Sequence, residues 1–142
     1  MAMSDVSPEQ VVLDDRERRF LRAALLDWGG PARPTDELAT TMGFTSAESL
    51  SREAWALWGR IEAGDALTIQ EWRQVLLAVE IVFASDVVGS GLDFRITSGI
   101  PDEEAIKILR GLQRRLPRWR GSVQFSTASG RVEILDDNRP EV

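Results

Sequence analysis

The sequence predicts a mainly α-helical, single-domain bundle of about five helices, and three observations support this fold class. The segments 7–10, 45–48 and 68–71 each have the Ser/Thr-x-x-Glu/Gln spacing of a helix capping box. Apolar residues in the following segments recur at intervals of three and four, as on one face of a helix. Glycine or proline follows several of these runs and stops them. A chain of 142 residues is long enough for one such core.

The N-terminal half is predicted to hold a short lead-in helix and three further helices. Pro8 follows Ser7 as at a first helical position, so the lead-in helix is expected at 7–10. The first long helix should run from 14 to 28, before Gly-Gly-Pro. A short helix capped by Thr35 should end at Gly43, and the next should run from the box at 45–48 to about Ala63.

The C-terminal half is predicted to hold the central helix of the bundle. Residues 75–84 are apolar almost all round, so a helix at 69–88 should be the most buried one. Residues 92–96 alternate with period two, which predicts a short half-buried strand. The last helix should begin near Pro101, end at Pro117 and bury one apolar stripe: Ala105, Ile106, Leu109, Leu112 and Leu116.

The composition changes after Gly121, so we divide the chain into a helical domain (1–120) and a C-terminal segment (121–142). Residues 123–125 and 131–135 flank a Ser-Thr-Ala-Ser-Gly loop, which predicts a small β-hairpin. Pairing with 92–96 would extend that hairpin to three strands. A flexible tail is the alternative, since chain ends are often poorly ordered.

The absence of histidine, cysteine and tyrosine excludes many kinds of functional site. Without histidine and cysteine the chain cannot form a Ser-His-Asp or Cys-His site, a zinc finger or a redox dithiol. We therefore expect a non-enzymatic protein with no cofactor and no metal site. An enzyme that uses only carboxylates is the remaining enzymatic alternative.

The net charge of −6 is unevenly distributed along the chain. Residues 34–94 contain ten acids and three arginines, whereas residues 105–120 contain six bases and no acid. The longest apolar run, 75–84, is ten residues and too short to span a membrane. With a polar, acidic N-terminus that lacks a signal-peptide core, these features favour a cytoplasmic protein.

Residues 38–52 read Leu-Ala-Thr-Thr-Met-Gly-Phe-Thr-Ser-Ala-Glu-Ser-Leu-Ser-Arg. This segment resembles the helix-turn-helix of arabinose-regulator (AraC) type transcription factors, with a Leu-Ala, a Gly-Phe turn and a hydrophobic-Ser-Arg at that family's spacing. The resemblance implies DNA binding, with Arg52 and Arg60 of the second helix as candidate phosphate contacts. A structural helix corner is the alternative, because any tight corner makes the same packing demands.

The acidic middle of the chain supports a different function, that of a small interaction protein such as an inhibitor, an immunity or antitoxin-like protein, or an adaptor. We expect its partner to be another protein, and a basic one would fit because opposite charge speeds association. Trp28, Trp58 and Trp72 fit apolar stripes and should be core residues. The candidate partner-binding residues are Glu48, Glu53, Trp55, Glu62 and Trp119.

Two acids are predicted to be buried polar groups. Glu80 interrupts the apolar run of the central helix, and an unpaired buried carboxylate costs several kcal/mol. We therefore expect a core ion pair from Glu80 to Arg22 or Arg110, with a catalytic acid as the alternative. Asp86, six residues later, should hydrogen-bond the backbone of the next turn.

Overall fold

A computed structural model describes residues 8–9, 11–116, 121–126 and 131–136, with side chains for residues 11–116. The predicted mainly α-helical class is confirmed. The helices in this part of the chain are α1 (Asp15–Leu26), α2 (Asp36–Thr41), α3 (Ala47–Glu62), α4 (Ile69–Ala84), α5 (Phe94–Ser98) and α6 (Asp102–Arg115). Short 3₁₀ turns lie at Asp27–Gly29 and Gly91–Asp93. The strands are β1 (Pro8–Glu9), β2 (Leu67–Thr68), β3 (Gly121–Ser126) and β4 (Arg131–Asp136).

The start of α4 confirms the sequence prediction, and the start of α3 corrects it. Thr68 and Glu71 form the expected capping box, in which each side chain binds the other's backbone N–H. Helix α3 is capped by Ser46 instead of Thr45, because the Ser46 hydroxyl accepts the Ser49 N–H at 3.2 Å. The predicted box at 45–48 is therefore wrong by one residue.

The core is formed by apolar residues of α1, α3, α4 and α6. Helix α1 packs against α3, α4, α5 and α6, so it shares the central position that the sequence assigned to α4 alone. Phe20, Phe83 and Phe94 meet in a cluster of tilted and edge-to-face rings, with centroids 5.4–6.4 Å apart. This aromatic cluster joins α1, α4 and α5.

Helix α4 ends four residues earlier than predicted, at Ala84 instead of position 88. Ser85 is extended, and the chain folds back over the last turn, where the Ser90 N–H donates to the Val82 carbonyl at 2.9 Å. Only glycine fits at position 89, because a Cβ there would lie 2.5 Å from the Ile81 carbonyl oxygen. This reversal ends the helix at the last residue of the apolar run 75–84.

The predicted strand at 92–96 is wrong, since these residues lie in the second 3₁₀ turn and in α5. The Asp86 carboxylate accepts the Leu92 N–H at 3.0 Å, as expected for Asp86, and so starts the helical turn. The helix turns Phe94 into the core and leaves Leu92 and Ile96 exposed. A period-two pattern of only five residues did not distinguish a strand from a helical segment.

The two ends of the chain differ in how well they were predicted. The lead-in helix at 7–10 is wrong at Pro8–Glu9, which pairs antiparallel with β2. The C-terminal hairpin is confirmed, because β3 and β4 pair antiparallel from Gly121↔Asp136 to Ser126↔Arg131. These strands pair with each other, so the three-stranded alternative with 92–96 does not form.

The buried stripe of α6 departs from the prediction at one position. Ile108 is buried, whereas Ile106 is 37% exposed. The other predicted positions, Ala105, Leu109, Leu112 and Leu116, are buried. Positions 105, 108, 109 and 112 follow the three-and-four spacing of one helix face, which position 106 leaves.

Candidate protein-binding surfaces

The exposed side of α3 carries most of the residues predicted to contact a partner. Five exposed residues succeed one another at intervals of four and three, so they form one line along the helix. We call this line the α3 outer face, and its members are Glu48, Arg52, Trp55, Gly59 and Glu62. The opposite side of α3 is buried, so the helix has one free face.

Trp55 lies at the centre of the α3 outer face and is held in place from below. Its indole N–H donates to the Leu26 carbonyl at 3.3 Å. The ring covers Gly29, where a Cβ would lie 2.5 Å from Trp55 Cζ2. The side chain is still 49% exposed, as predicted, whereas Trp28, Trp58 and Trp72 are buried, also as predicted. A fixed, half-exposed tryptophan is ready to contact a partner with little loss of entropy.

Glu53, another predicted partner residue, is engaged inside the helix corner. Its carboxylate accepts the Thr45 hydroxyl at 2.7 Å, the Thr45 N–H at 3.1 Å and the Ser49 hydroxyl at 2.9 Å. Burial alone would raise the pKa of Glu53, but these hydrogen bonds and the Arg52 charge outweigh it and lower the pKa. Glu53 therefore stabilises the turn between α2 and α3.

Arg60, one of the two arginines predicted to meet DNA, is also engaged within the fold. It forms an ion pair with Glu71 and donates to the Ala66 carbonyl at 3.1 Å. Arg52 is exposed and has no ion-pair partner among the described residues. Of the two candidate phosphate contacts, only Arg52 projects freely from α3.

The capping box of α4 gives the protein an acid-sensitive contact at Glu71. Burial alone would raise the pKa of Glu71, but the Thr68 N–H, the Arg60 guanidinium and the Thr68 hydroxyl together lower it below its ordinary 4.5. A carboxyl whose pKa is lowered by folding stabilises the fold above its unfolded-state pKa. That contribution is lost as the pH falls through the folded-state pKa.

We expect Glu71→Gln to destabilise the protein at neutral pH. The substitution should make little difference in acid, because the wild-type carboxyl group is then protonated and as neutral as the glutamine amide. The measurement is the free energy of unfolding in urea at neutral pH and at several pH values below 4.5. Glu103→Gln, at an exposed acid in the first turn of α6, is the matched control. A gap between wild type and Glu71→Gln that stays constant with pH would contradict the assignment.

Neither acid predicted to be a buried polar group is fully buried. Glu80 is half-buried, and Asp86 is exposed. The Gln113 amide donates to Glu80 at 2.6 Å and accepts from Arg110 at 2.6 Å, so Arg110 reaches Glu80 only through Gln113. The predicted direct ion pair to Arg22 or Arg110 is therefore wrong, because α6 presents a glutamine at this point.

Sequence reasoning missed two buried acids: Glu17 of α1, which pairs with Arg115, and Asp27 in the 3₁₀ turn after α1. The Asp27 Oδ2 atom accepts the Ser90 hydroxyl at 2.5 Å and the Thr97 hydroxyl at 2.7 Å. It thereby ties the end of α1 to the turn before α5 and to α5 itself. An aspartate two residues before Gly-Gly has the pattern of an exposed helix end, so no local signal indicated this role.

A second surface lies where the strand at 92–96 was expected. Three of the four large apolar side chains more than 70% exposed in the described chain occur between residues 87 and 96. Val87 is 89% exposed, Leu92 71% and Ile96 72%, and the last two are four residues apart on one helical face. We call these three residues, which share the segment 87–96, the apolar patch.

The apolar patch adjoins a charged groove. Leu92 and Arg95 line this groove of about 360 Å³ together with the start of α6, Pro101, Asp102 and Glu103. Asp93, next to Leu92, is exposed as well. On the Leu92 side of the patch, three acids therefore accompany one arginine, which makes this side acidic.

The segment that carries the patch is fixed to the rest of the fold at several points. The Arg33 N–H donates to the Val88 carbonyl at 2.6 Å, and Arg19 donates to the carbonyls of Ser98 and Gly99 at 3.3–3.4 Å. Gly91 has a φ of +47°, and a Cβ there would lie 2.3 Å from the Asp86 Cα. With the hydroxyl bonds to Asp27, these contacts hold exposed apolar side chains on a well-supported segment.

Trp119, the remaining predicted partner residue, lies outside the described residues. Over the described ranges, no three His, Cys, Asp or Glu side chains are grouped so that they could hold a metal ion. None of the helices described here combines the length and apolarity needed to cross a membrane. No known family matches the chain, and neither a curated protein nor a solved structure is significantly similar to it.

Proposed function

We propose that this chain is an acidic, non-enzymatic protein-binding module of the inhibitor, immunity-protein or adaptor type. Its apolar patch would dock a segment of another protein that carries apolar and basic side chains. The observation that supports this proposal is that Val87, Leu92 and Ile96 are all strongly exposed and lie on one segment. Hydrogen bonds hold this segment to the rest of the fold. Single exposed apolar residues are normal on soluble proteins, whereas clusters mark interaction sites.

Physical arguments favour the patch as a docking site. Apolar surface removed from water contributes about 25 cal/mol per Å², and these three side chains expose most of theirs. The segment is held by Asp27 and Asp86, so ordering it on binding costs little.

The charges around the patch favour a basic partner. Asp102 and Glu103 in the groove and the adjacent Asp93 outnumber Arg95 on the Leu92 side of the patch, and the whole chain carries a net charge of −6. Such a field attracts cationic segments and raises the association rate. The acidic middle of the chain, including Glu48 and Glu62, extends this preference to the rest of the surface.

Binding of DNA through α2 and α3 is a second candidate function, favoured by one observation. Helix α2, a turn at Gly43 with φ of +94° and helix α3 follow one another along the chain, as two helices of such a motif would. The charges oppose it, because a groove-reading helix needs cations to neutralise phosphates. On the α3 outer face, Arg52 is accompanied by Glu48 and Glu62.

Affinity capture with matched variants tests the protein-binding proposal. Wild-type protein and Val12→Asp, a control at an exposed apolar residue outside the patch, should recover the same partner. The double variant Leu92→Asp/Ile96→Asp should not recover the partner, because docking would bury two carboxylates at a cost in free energy. With the purified partner, calorimetry should show the affinity of the double variant at least roughly tenfold lower.

The same proteins are then offered random duplex DNA in a gel shift at physiological salt. We expect no shift. A partner that binds Leu92→Asp/Ile96→Asp as tightly as wild type would overturn the docking site. Salt-sensitive duplex binding that Arg52→Ala abolishes would overturn the function itself and establish the DNA-binding alternative.

A further inference from the structure

The α3 outer face has an order of side chains that is complementary to itself when two copies run antiparallel. Its spacing of four and three residues is that of the contact positions in a helix pair. In an antiparallel pair, residues equidistant from a common centre face each other. With the centre at position 57, Arg52 faces Glu62 of the second copy, and Trp55 faces Gly59 of the second copy.

Charge favours this register over a parallel pair and over an antiparallel pair centred on Trp55. A parallel pair would place each charged residue against its own copy, with Arg52 opposite Arg52 and Glu62 opposite Glu62 of the second copy. An antiparallel pair centred on Trp55 would place Glu48 opposite Glu62. Like charges across an interface disfavour both arrangements. Centring on position 57 instead gives two Arg–Glu pairs, one at each end of the contact.

The inner positions are complementary in size. Trp55 is half exposed and fixed by its bond to the Leu26 carbonyl. At Gly59 a Cβ would meet no atom within 4 Å, so the space above the helix is open there. A glycine opposite each tryptophan lets the two helices approach closely and buries the exposed indole. Two such contacts, related by symmetry, form the centre of the interface.

We propose that the α3 outer face binds a second copy of this chain, forming an antiparallel two-fold dimer. The order of charges and the order of side-chain sizes along this face are both complementary to a second copy of the same face. The proposal goes beyond the protein-binding function above and uses a different surface from the apolar patch. Because one helix face per subunit gives a contact at the small end of stable interfaces, we expect a dissociation constant on the order of 10 µM.

A charge swap tests the pairing directly by sedimentation equilibrium over a range of concentrations. Arg52→Glu and Glu62→Arg should each weaken dimerisation by at least roughly tenfold, since each places like charges at both ends. The double variant Arg52→Glu/Glu62→Arg restores both pairs and should dimerise within a factor of about three of wild type. Arg22→Glu/Glu37→Arg, at exposed positions on α1 and α2, is the control with the same change in charges.

Circular dichroism of each variant checks whether it is folded. A wild-type protein that is monomeric throughout, single reversals without effect, or a double variant no better than the single ones would each overturn the dimer. The patch variant Leu92→Asp/Ile96→Asp should still dimerise, and the charge-swapped protein should still bind the partner. The dimer and the proposed function can therefore fail independently.

Discussion

Phe94→Ala is expected to lower the free energy of unfolding by about 3–5 kcal/mol, as for other buried aromatic side chains reduced to alanine. Phe94 is fully buried, and its ring lies 5.4 Å from that of Phe20 and 5.7 Å from that of Phe83, between centroids. The substitution would remove the side chain through which α5 enters the core and would leave a cavity between α1 and α4. Urea unfolding at neutral pH measures the loss.

Leu92→Ala and Ile96→Ala are the matched controls, because they shorten apolar side chains on the same segment. Both side chains are exposed, so each change should alter the free energy of unfolding by less than about 0.5 kcal/mol. In a half-buried strand, residues 92, 94 and 96 would share one face, and all three substitutions would be similarly costly. Three similar losses would contradict the helical segment; one large and two small losses support it.

The helices that the sequence located well are those whose signals are local. Thr68 and Glu71 are three residues apart and satisfy each other's backbone N–H, so the box marks the start of α4 locally. The same spacing at 7–10 gave no helix at Pro8–Glu9, which pairs with β2 instead. Gly64, with a φ of +81°, follows the end of α3 as expected. The segment 92–96 could not be assigned in this way, because its conformation depends on Asp86 and on a core pocket for Phe94.

The two candidate surfaces also differ in how far the local sequence predicts them. The exposure of Glu48, Trp55 and Glu62 follows from the position of each residue relative to the buried stripe of α3, which the sequence displays. The apolar patch could not be predicted, because it exists only where α5 is helical and where the chain folds back over α4. Asp27 was missed for a related reason, since its partners Ser90 and Thr97 lie 63 and 70 residues away.

Asp27→Ala should lower the free energy of unfolding by about 2–4 kcal/mol, because hydrogen bonds to a charged group contribute roughly 1.5–3 kcal/mol each and their loss leaves polar groups unpaired. Asp27 and Ser90 are both buried, so the Ser90 hydroxyl would lose its acceptor away from water. Asp27→Asn keeps an oxygen acceptor in the same place and should cost clearly less. Urea unfolding measures both variants.

A double-mutant cycle with Ser90→Ala distinguishes this contact from general packing at the end of α1. If the two side chains stabilise each other, the combined variant should cost less than the sum of the single ones, by about 1 kcal/mol or more. Strict additivity, or an Asp27→Ala protein as stable as wild type, would contradict the role assigned to Asp27. Because Asp27 also holds Thr97, its loss should speed amide hydrogen exchange across 91–98 before the rest of the chain opens. That result would connect the buried carboxylate to the support of the apolar patch.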